Sequence, residues 1–267
     1  MIPALFAGLC DDAAVFPPGL APLPDAVAAH DTYKQAWYTD LVGPLVLAAP
    51  ALDALGDLLG PRETPLAVAV TLPGGPDRLP GVLDAAKALP IDLQALEIAV
   101  PDGMGPAELL DAISAATAPV YVEIPRDDRR LPLLRALAGT SHRAKFRTGG
   151  VRADLYPGEA ELATAIRAAV EAGVPFKATA GLHHALRNTD PETGFEQHGF
   201  LNLLLAAGAP EQAEALLAER DGEVVAARLR ELDADTARAR FTSFGTCSIT
   251  DPLTELAALG LLPRGEA

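Results

Sequence analysis

The stretch Arg143 to Gly181, "RAKFRTGGVRADLYPGEAELATAIRAAVEAGVPFKATAG", decides how the chain is expected to fold. Charged and apolar residues alternate over Arg143 to Gly150 and again over Val174 to Gly181, so each run has the two-residue period of a strand. Between them, Glu159 to Ala172 carries apolar residues at helical spacing. Gly173 ends that helix, and Pro175 restricts the backbone as the next strand begins. Strands that alternate with helices in this way lie parallel in one sheet, because a crossover is needed to bring the chain back in the same direction.

The same alternation runs outward in both directions. "PLVLAA" from Pro44, "PLAVAVTLP" from Pro65, "LQALEIAVP" from Leu93, "PVYVEIP" from Pro119 and "RFTSFGTCS" from Arg240 also read as strands, which makes seven. An eighth falls near Leu5 to Phe16, where "AGLCDDAAVF" reads equally as a turn or a helix. Helices are expected at Ala51 to Leu59, Leu79 to Leu89, Pro106 to Ala116, Arg129 to Ala138 and Pro252 to Leu261. Eight such units in 267 residues close into a (β/α)8 TIM barrel, an α/β fold forming a single domain over residues 1–267. An open doubly wound sheet would carry a GxGxxG turn after its first strand, whereas "TLPGGP" and "RTGGV" hold only glycine pairs. One interval is out of step. "LRNTDPETGFEQHGF", an Ala/Leu-rich helix and a charged helix around Glu223 to Arg238 form a helical insertion after strand seven. Loops after strands build the catalytic face of a barrel, so this segment is a candidate lid or substrate wall.

Composition narrows the function classes. With 49% hydrophobic residues the chain can bury a large core, and it holds no low-complexity tract. A net charge of −15 repels nucleic acid phosphates and anionic lipid, so neither nucleic acid nor membrane is expected as a partner. Cys10 and Cys247 are too few for a disulfide framework and have no metal-ligand spacing, which fits a reduced, cytoplasmic setting. "MIPALFAGLCDDAAVF" lacks a basic leader and is interrupted by Asp11 and Asp12, a poor match to a signal peptide or membrane span.

Side chains two apart on a strand share a face. With Ala144 and Phe146 against the helices, Lys145, Arg147 and Gly149 face the barrel axis; with Phe176, Ala178 and Ala180 outward, Lys177, Thr179 and Gly181 face it. The same parity turns Glu97 and Glu123 inward. Strands four to seven therefore each deliver charge to the interior. An isolated buried ammonium costs several kcal/mol, so Lys177 needs partners or must lose its proton. Crowding by a second cation and a low dielectric both favour the neutral amine, which is the nucleophile that attacks a carbonyl to form a Schiff base. A blander reading stays open, in which the same charges form an ion-paired interior that holds the strands in register.

"AKFRTGG" followed one βα unit later by "FKATAGLHH" resembles the paired-lysine signature of class I, Schiff-base aldolases of the deoxyribose-phosphate aldolase type. The resemblance implies that Lys145 forms the imine and Lys177 assists as a cation. It covers two strands. The second strand continues as "GLHHALRN" where those aldolases turn into a glycine-rich phosphate site, and the third, "AVAVTLPGG", has no acidic residue, so a sugar phosphate is not implied.

Other candidates line the expected mouth. Arg147, Thr148, Gly149 and Gly150 could cradle an anion by combining a guanidinium fork with closely approachable backbone. Thr179, His183, His184 and Asn188 follow or end strand seven, and Asp11 or Asp12 could act at the mouth or sit in a solvated turn, Asp12 being the one taken as a substrate contact. In "TCSITDPLTEL" Asp251 before Pro252 reads as a helix cap, and His30 and His142 are assigned no role. The expectation is an enzyme, a carbon–carbon lyase acting without a cofactor on a small carbonyl- or carboxylate-bearing metabolite, with Lys145, Lys177, Glu97 and Glu123 catalytic. Two alternatives remain: a metal-dependent hydrolase or isomerase using His183, His184 or His198, and a non-catalytic barrel that binds a ligand or partner. The expected partner is a small-molecule substrate, and a homo-oligomer is compatible with the sequence.

Overall fold

The structure, a computed structural model, describes residues 1–263; the last four positions of the expected 1–267 domain lie outside the described residues. Eight parallel strands close a barrel: β1 (Cys10–Asp12), β2 (Val42–Ala48), β3 (Leu66–Leu72), β4 (Ile91–Ala99), β5 (Val120–Glu123), β6 (Arg143–Arg147), β7 (Phe176–Thr179) and, after the short hairpin strands β8 (Asn188–Thr189) and β9 (Glu196–Gln197), β10 (Phe241–Thr246). β10 pairs with both β7 and β1, which completes the ring. Helices α1 (Leu23–Tyr33), α2 (Ala51–Leu58), α3 (Leu79–Ala88), α4 (Pro106–Ala112), α5 (Arg130–Leu137) and α6 (Glu159–Glu171) alternate with the first seven strands. The ambiguous N-terminal run resolves into a 3-10 turn at Ala4–Phe6 and the three-residue β1.

Strand parity places the core. Leu45, Leu47, Val68, Val70, Leu96, Ile98, Val120, Val122, Ala144, Phe146, Phe176 and Ala178 are buried in one continuous apolar layer with the helices. The opposite face of each strand points to the axis. There Val46, Ala69, Ala95 and Tyr121 form a separate small cluster, with Ala13 and Phe16 packed against it. The barrel interior thus has an apolar side on β2 to β4 and a charged side on β4 to β7.

The insertion after β7 continues from the hairpin into α7 (Phe200–Gly208), α8 (Ala213–Ala218), α9 (Gly222–Glu231) and α10 (Ala234–Arg240), before β10 and α11 (Thr250–Ala258). Residues 200–207 of α7 are all buried, as a helix that is apolar on every side requires, and Phe200 stacks on Phe244 of β10 at 4.5 Å between ring centroids. The expected single helix over Glu223 to Arg238 is two. Asp221 caps α9, and Asp233, accepting from the Asp235 N–H, caps α10 and restarts the chain in a new direction. Among the described residues no helix is long and apolar enough to cross a membrane.

Asn202, wholly buried on α7, ties the insertion together. Its Oδ1 accepts from the Arg187 N–H at 2.9 Å, and its Nδ2 donates to the carbonyls of Leu216 and Glu219 at 2.7 and 2.8 Å. Asn202→Ala orphans these backbone groups and should lower the unfolding free energy by about 3 kcal/mol. Urea denaturation followed by circular dichroism checks this; a loss below about 1 kcal/mol would show that the insertion is held elsewhere.

Candidate active site

The inward charges meet. Register sets Lys145 beside Lys177 and Glu123 beside Lys145, so side chains from β5, β6 and β7 share one level of the barrel. Lys177 Nζ lies 2.5 Å from Asp11 Oδ2 and 2.5 Å from Glu97 Oε1. Glu97 Oε2 is 2.9 Å from Lys145 Nζ, which is also 2.9 Å from Glu123 Oε2. Glu123 Oε1 accepts from Arg147 Nε at 3.0 Å. The result is one chain of alternating sign: Asp11, Lys177, Glu97, Lys145, Glu123, Arg147. Three negative and three positive groups leave it formally neutral.

Its supports are as specific as its members. Ser243 Oγ donates to Asp11 Oδ2 at 2.7 Å, and Gly43 leaves space for the Asp11 carboxylate that a Cβ would strike. The Tyr121 ring lies beneath the lysines, 5.3 Å from Lys177 Nζ, while Arg143 donates to the Tyr121 hydroxyl at 2.7 Å. A register shift between Phe241 and Phe244 lets consecutive residues serve the interior, so that Thr242 reaches Tyr121 and Ser243 reaches Asp11.

Burial falls along the chain. Lys177 is 1% exposed, whereas the side chains of Glu123 and Arg147 are 21% and 41% exposed at the C-terminal strand ends. By parity and register, the small residues Ala48, Thr71, Ala99 and Thr179 end the same inward rows, and all are partly exposed. These small residues share the C-terminal end of the barrel with Glu123 and Arg147.

The proton affinities follow from this geometry. Burial works to lower the Lys177 pKa, but the carboxylates of Asp11 and Glu97 outweigh it and hold the amine well above its ordinary value. Of the two outcomes open for Lys177, partners or a lost proton, the structure shows partners: crowding by Lys145 matters less than two carboxylates in direct contact. Burial alone would raise Glu97; the lysine pair reverses this and brings its carboxyl down to about 2. Glu123 is likewise lowered, against its burial, by Lys145 and Arg147. Asp11 is raised, because burial exceeds the pull of Lys177 and Ser243.

Several expected ligand contacts lie elsewhere. Asp12 faces away from the axis, where its Oδ2 meets His30 Nδ1 at 2.9 Å, both residues being buried; Asp11 takes the inward place. Thr148 is fully buried and donates to the Ala180 carbonyl at 2.7 Å, stitching the ends of β6 and β7 together. Gly149 and Gly150 do not form an anion cradle. A Cβ on Gly149 would lie 2.7 Å from the Tyr156 ring and 2.8 Å from the Gly181 Cα, and one on Gly150 would lie 2.5 Å from Leu155. Both glycines serve close packing. Arg147 alone of that group reaches the mouth, with Thr179 as its register partner.

The histidines do not converge. His183 Nδ1 is 3.6 Å from Cys247 Sγ, His184 Nδ1 is 2.7 Å from Glu255 Oε1, and His198 Nε2 donates to the Pro157 carbonyl at 2.8 Å. Asn188 turns its amide to the Leu186 carbonyl. No group of three or more His, Cys, Asp or Glu among the described residues is placed to hold a metal ion. Ser243, Tyr121 and Arg143 complete the interior without having been singled out, and of the candidates Asp11 and Asp12 it is Asp11 that turns inward. The only signal for Asp11 was parity from Cys10, and a three-residue strand gives parity little to run on.

The fold and these side chains define the class: a (β/α)8 barrel with an ion-paired interior whose charges run toward its C-terminal face. No protein-family model matches the sequence, and no curated protein matches it. Among solved structures the chain is similar to one described as "a putative fructose-1,6-biphosphate aldolase from Coccidioides immitis", at 11% identity and a TM-score of 0.36, over 90% of this chain and 76% of that one.

Glu97 is the shared anion, so Glu97→Gln leaves two buried ammonium groups short of a partner and should cost about 3–5 kcal/mol of stability. Because folding depresses its pKa, the Glu97 contribution is fully present above the ordinary carboxylate value of 4.5 and is lost as pH falls toward about 2. Stability measured by urea melts from pH 6 to 3 should therefore fall less steeply in Glu97→Gln than in the parent, and parallel curves would refute this assignment.

Proposed function

We propose that this protein is an enzyme in which Lys145 forms an imine with a small carbonyl metabolite, and that cleavage of the bond between the carbons α and β to that imine is its reaction. The observation that carries this reading is the difference between two register-paired lysines. Lys177 is locked between Asp11 and Glu97, whereas Lys145 shares Glu97 and pairs with Glu123, a carboxylate that reaches solvent. Lys177 then acts as a fixed positive charge that keeps Glu97 ionised and occupied. Lys145 passes its proton to Glu123, and the freed amine attacks the carbonyl carbon to give a carbinolamine. Glu123 returns the proton to the departing hydroxyl, which leaves as water, and the iminium remains. The iminium accepts the electron pair of the breaking carbon–carbon bond, giving an enamine and a second carbonyl fragment once the hydroxyl on that fragment loses its proton. Protonation of the enamine carbon and addition of water release the first fragment and restore Lys145.

Separation of His183, His184 and His198 onto three different partners supports lysine chemistry over metal-dependent hydrolysis. Sodium borohydride reduction in the presence of a panel of small aldehydes, ketones and 2-oxo acids, read by intact mass and peptide mapping, should fix a reduced adduct on Lys145. Lys145→Ala should lose it while retaining its circular dichroism spectrum, and Glu123→Gln should slow adduct formation by about 100-fold. Absence of any adduct on Lys145 across the panel would reject imine chemistry and favour a barrel that only binds.

A further inference from the structure

We infer that the carbonyl compound taken by this site is a short 2-oxo acid, and that Arg147 is the residue that selects it by receiving its carboxylate. This rests on imine formation at Lys145. Lys145 and Arg147 stand two residues apart on β6, on the same face, and the two oxygens of one carboxylate, Glu123, are shared between them at 2.9 and 3.0 Å. The protein itself therefore displays a carboxylate bridging the amine and the guanidinium. In a 2-oxo acid the carboxylate carbon is bonded directly to the carbonyl carbon, so an imine on Lys145 keeps the ligand's carboxylate close to the amine, on the strand face that Arg147 shares. Arg147 binds Glu123 through Nε, and its terminal nitrogens belong to a side chain that is 41% exposed at the mouth, in position to make the fork contact that a carboxylate favours.

Local pairing favours such a ligand. Passing the Lys145 proton to Glu123 removes one charge of each sign and keeps the chain neutral overall, but it takes from Arg147 the ionised partner that its Nε binds. A simple aldehyde or ketone offers the guanidinium no replacement anion; a ligand that brings its own carboxylate does. The neighbouring arginines Arg126 and Arg130 are both already bound to Glu161, which leaves Arg147 as the guanidinium beside Lys145.

Matched probes separate this inference from the imine reading. Borohydride trapping on Lys145 should half-saturate at a concentration at least about tenfold lower for pyruvate than for hydroxyacetone, and for glyoxylate than for glycolaldehyde. Arg147→Gln should collapse both preferences to within about threefold, and Arg147→Lys should restore part of them, since a point charge replaces the fork. If the uncarboxylated probes label Lys145 as readily as their partners, or if Arg147→Gln keeps the preference, the 2-oxo acid assignment fails while imine chemistry stands. If no probe labels Lys145, both fall.

Discussion

One carboxylate organises this molecule. Glu97 reaches the axis from β4 and binds two ammonium groups with its two oxygens, and it alone touches both lysines, each of which has one further carboxylate of its own, Asp11 for Lys177 and Glu123 for Lys145. An unpaired charge in a barrel interior is among the most costly arrangements a fold can hold, and partial pairing is little better. The remaining members follow from that constraint. Two lysines on one glutamate leave a surplus positive charge, which Asp11 and Glu123 reverse, and Arg147 then closes the account at the mouth. The alternation of sign is the way in which six ionised side chains from five strands occupy one interior without any like-charged pair in contact.

The same network gives two similar lysines dissimilar surroundings. Lys177 has its Asp11 partner further held by Ser243, and an aromatic ring beneath it. Lys145 has one partner that is committed to Lys177 and one that is partly exposed. Position along the barrel axis, and not residue type, separates the enclosed ammonium from the one nearer the mouth.

Much of this was legible in the sequence, because a barrel strand makes parity informative. In "RAKFRTGG" and "PFKATAG" the phenylalanines and alanines fix which face meets the helices, and the inward placement of Lys145, Lys177, Glu97 and Glu123 follows. Helical periodicity likewise marked α2, α3 and α6 to within a residue at each end. Reading failed where the signal was short or where contact, not composition, decided. β1 has three residues, too few to say whether Asp11 or Asp12 turns inward. Gly149 and Gly150 look like an anion loop, but their freedom is spent on Tyr156, Gly181 and Leu155, which no local pattern reveals. The Lys177 proton affinity depended on Asp11, a partner 166 positions away in the chain.

The neutrality of the interior chain has a long-range consequence. Because its charges cancel within a few ångströms, the site adds almost nothing to the field felt outside, and the formal charge of −15 is carried by the rest of the molecule. A small anion approaching the mouth meets net repulsion once it comes within a Debye length of the surface, and added salt relieves that repulsion. The rate at which any anion arrives is thus set by the acidic exterior, whatever the neutral interior then does with it.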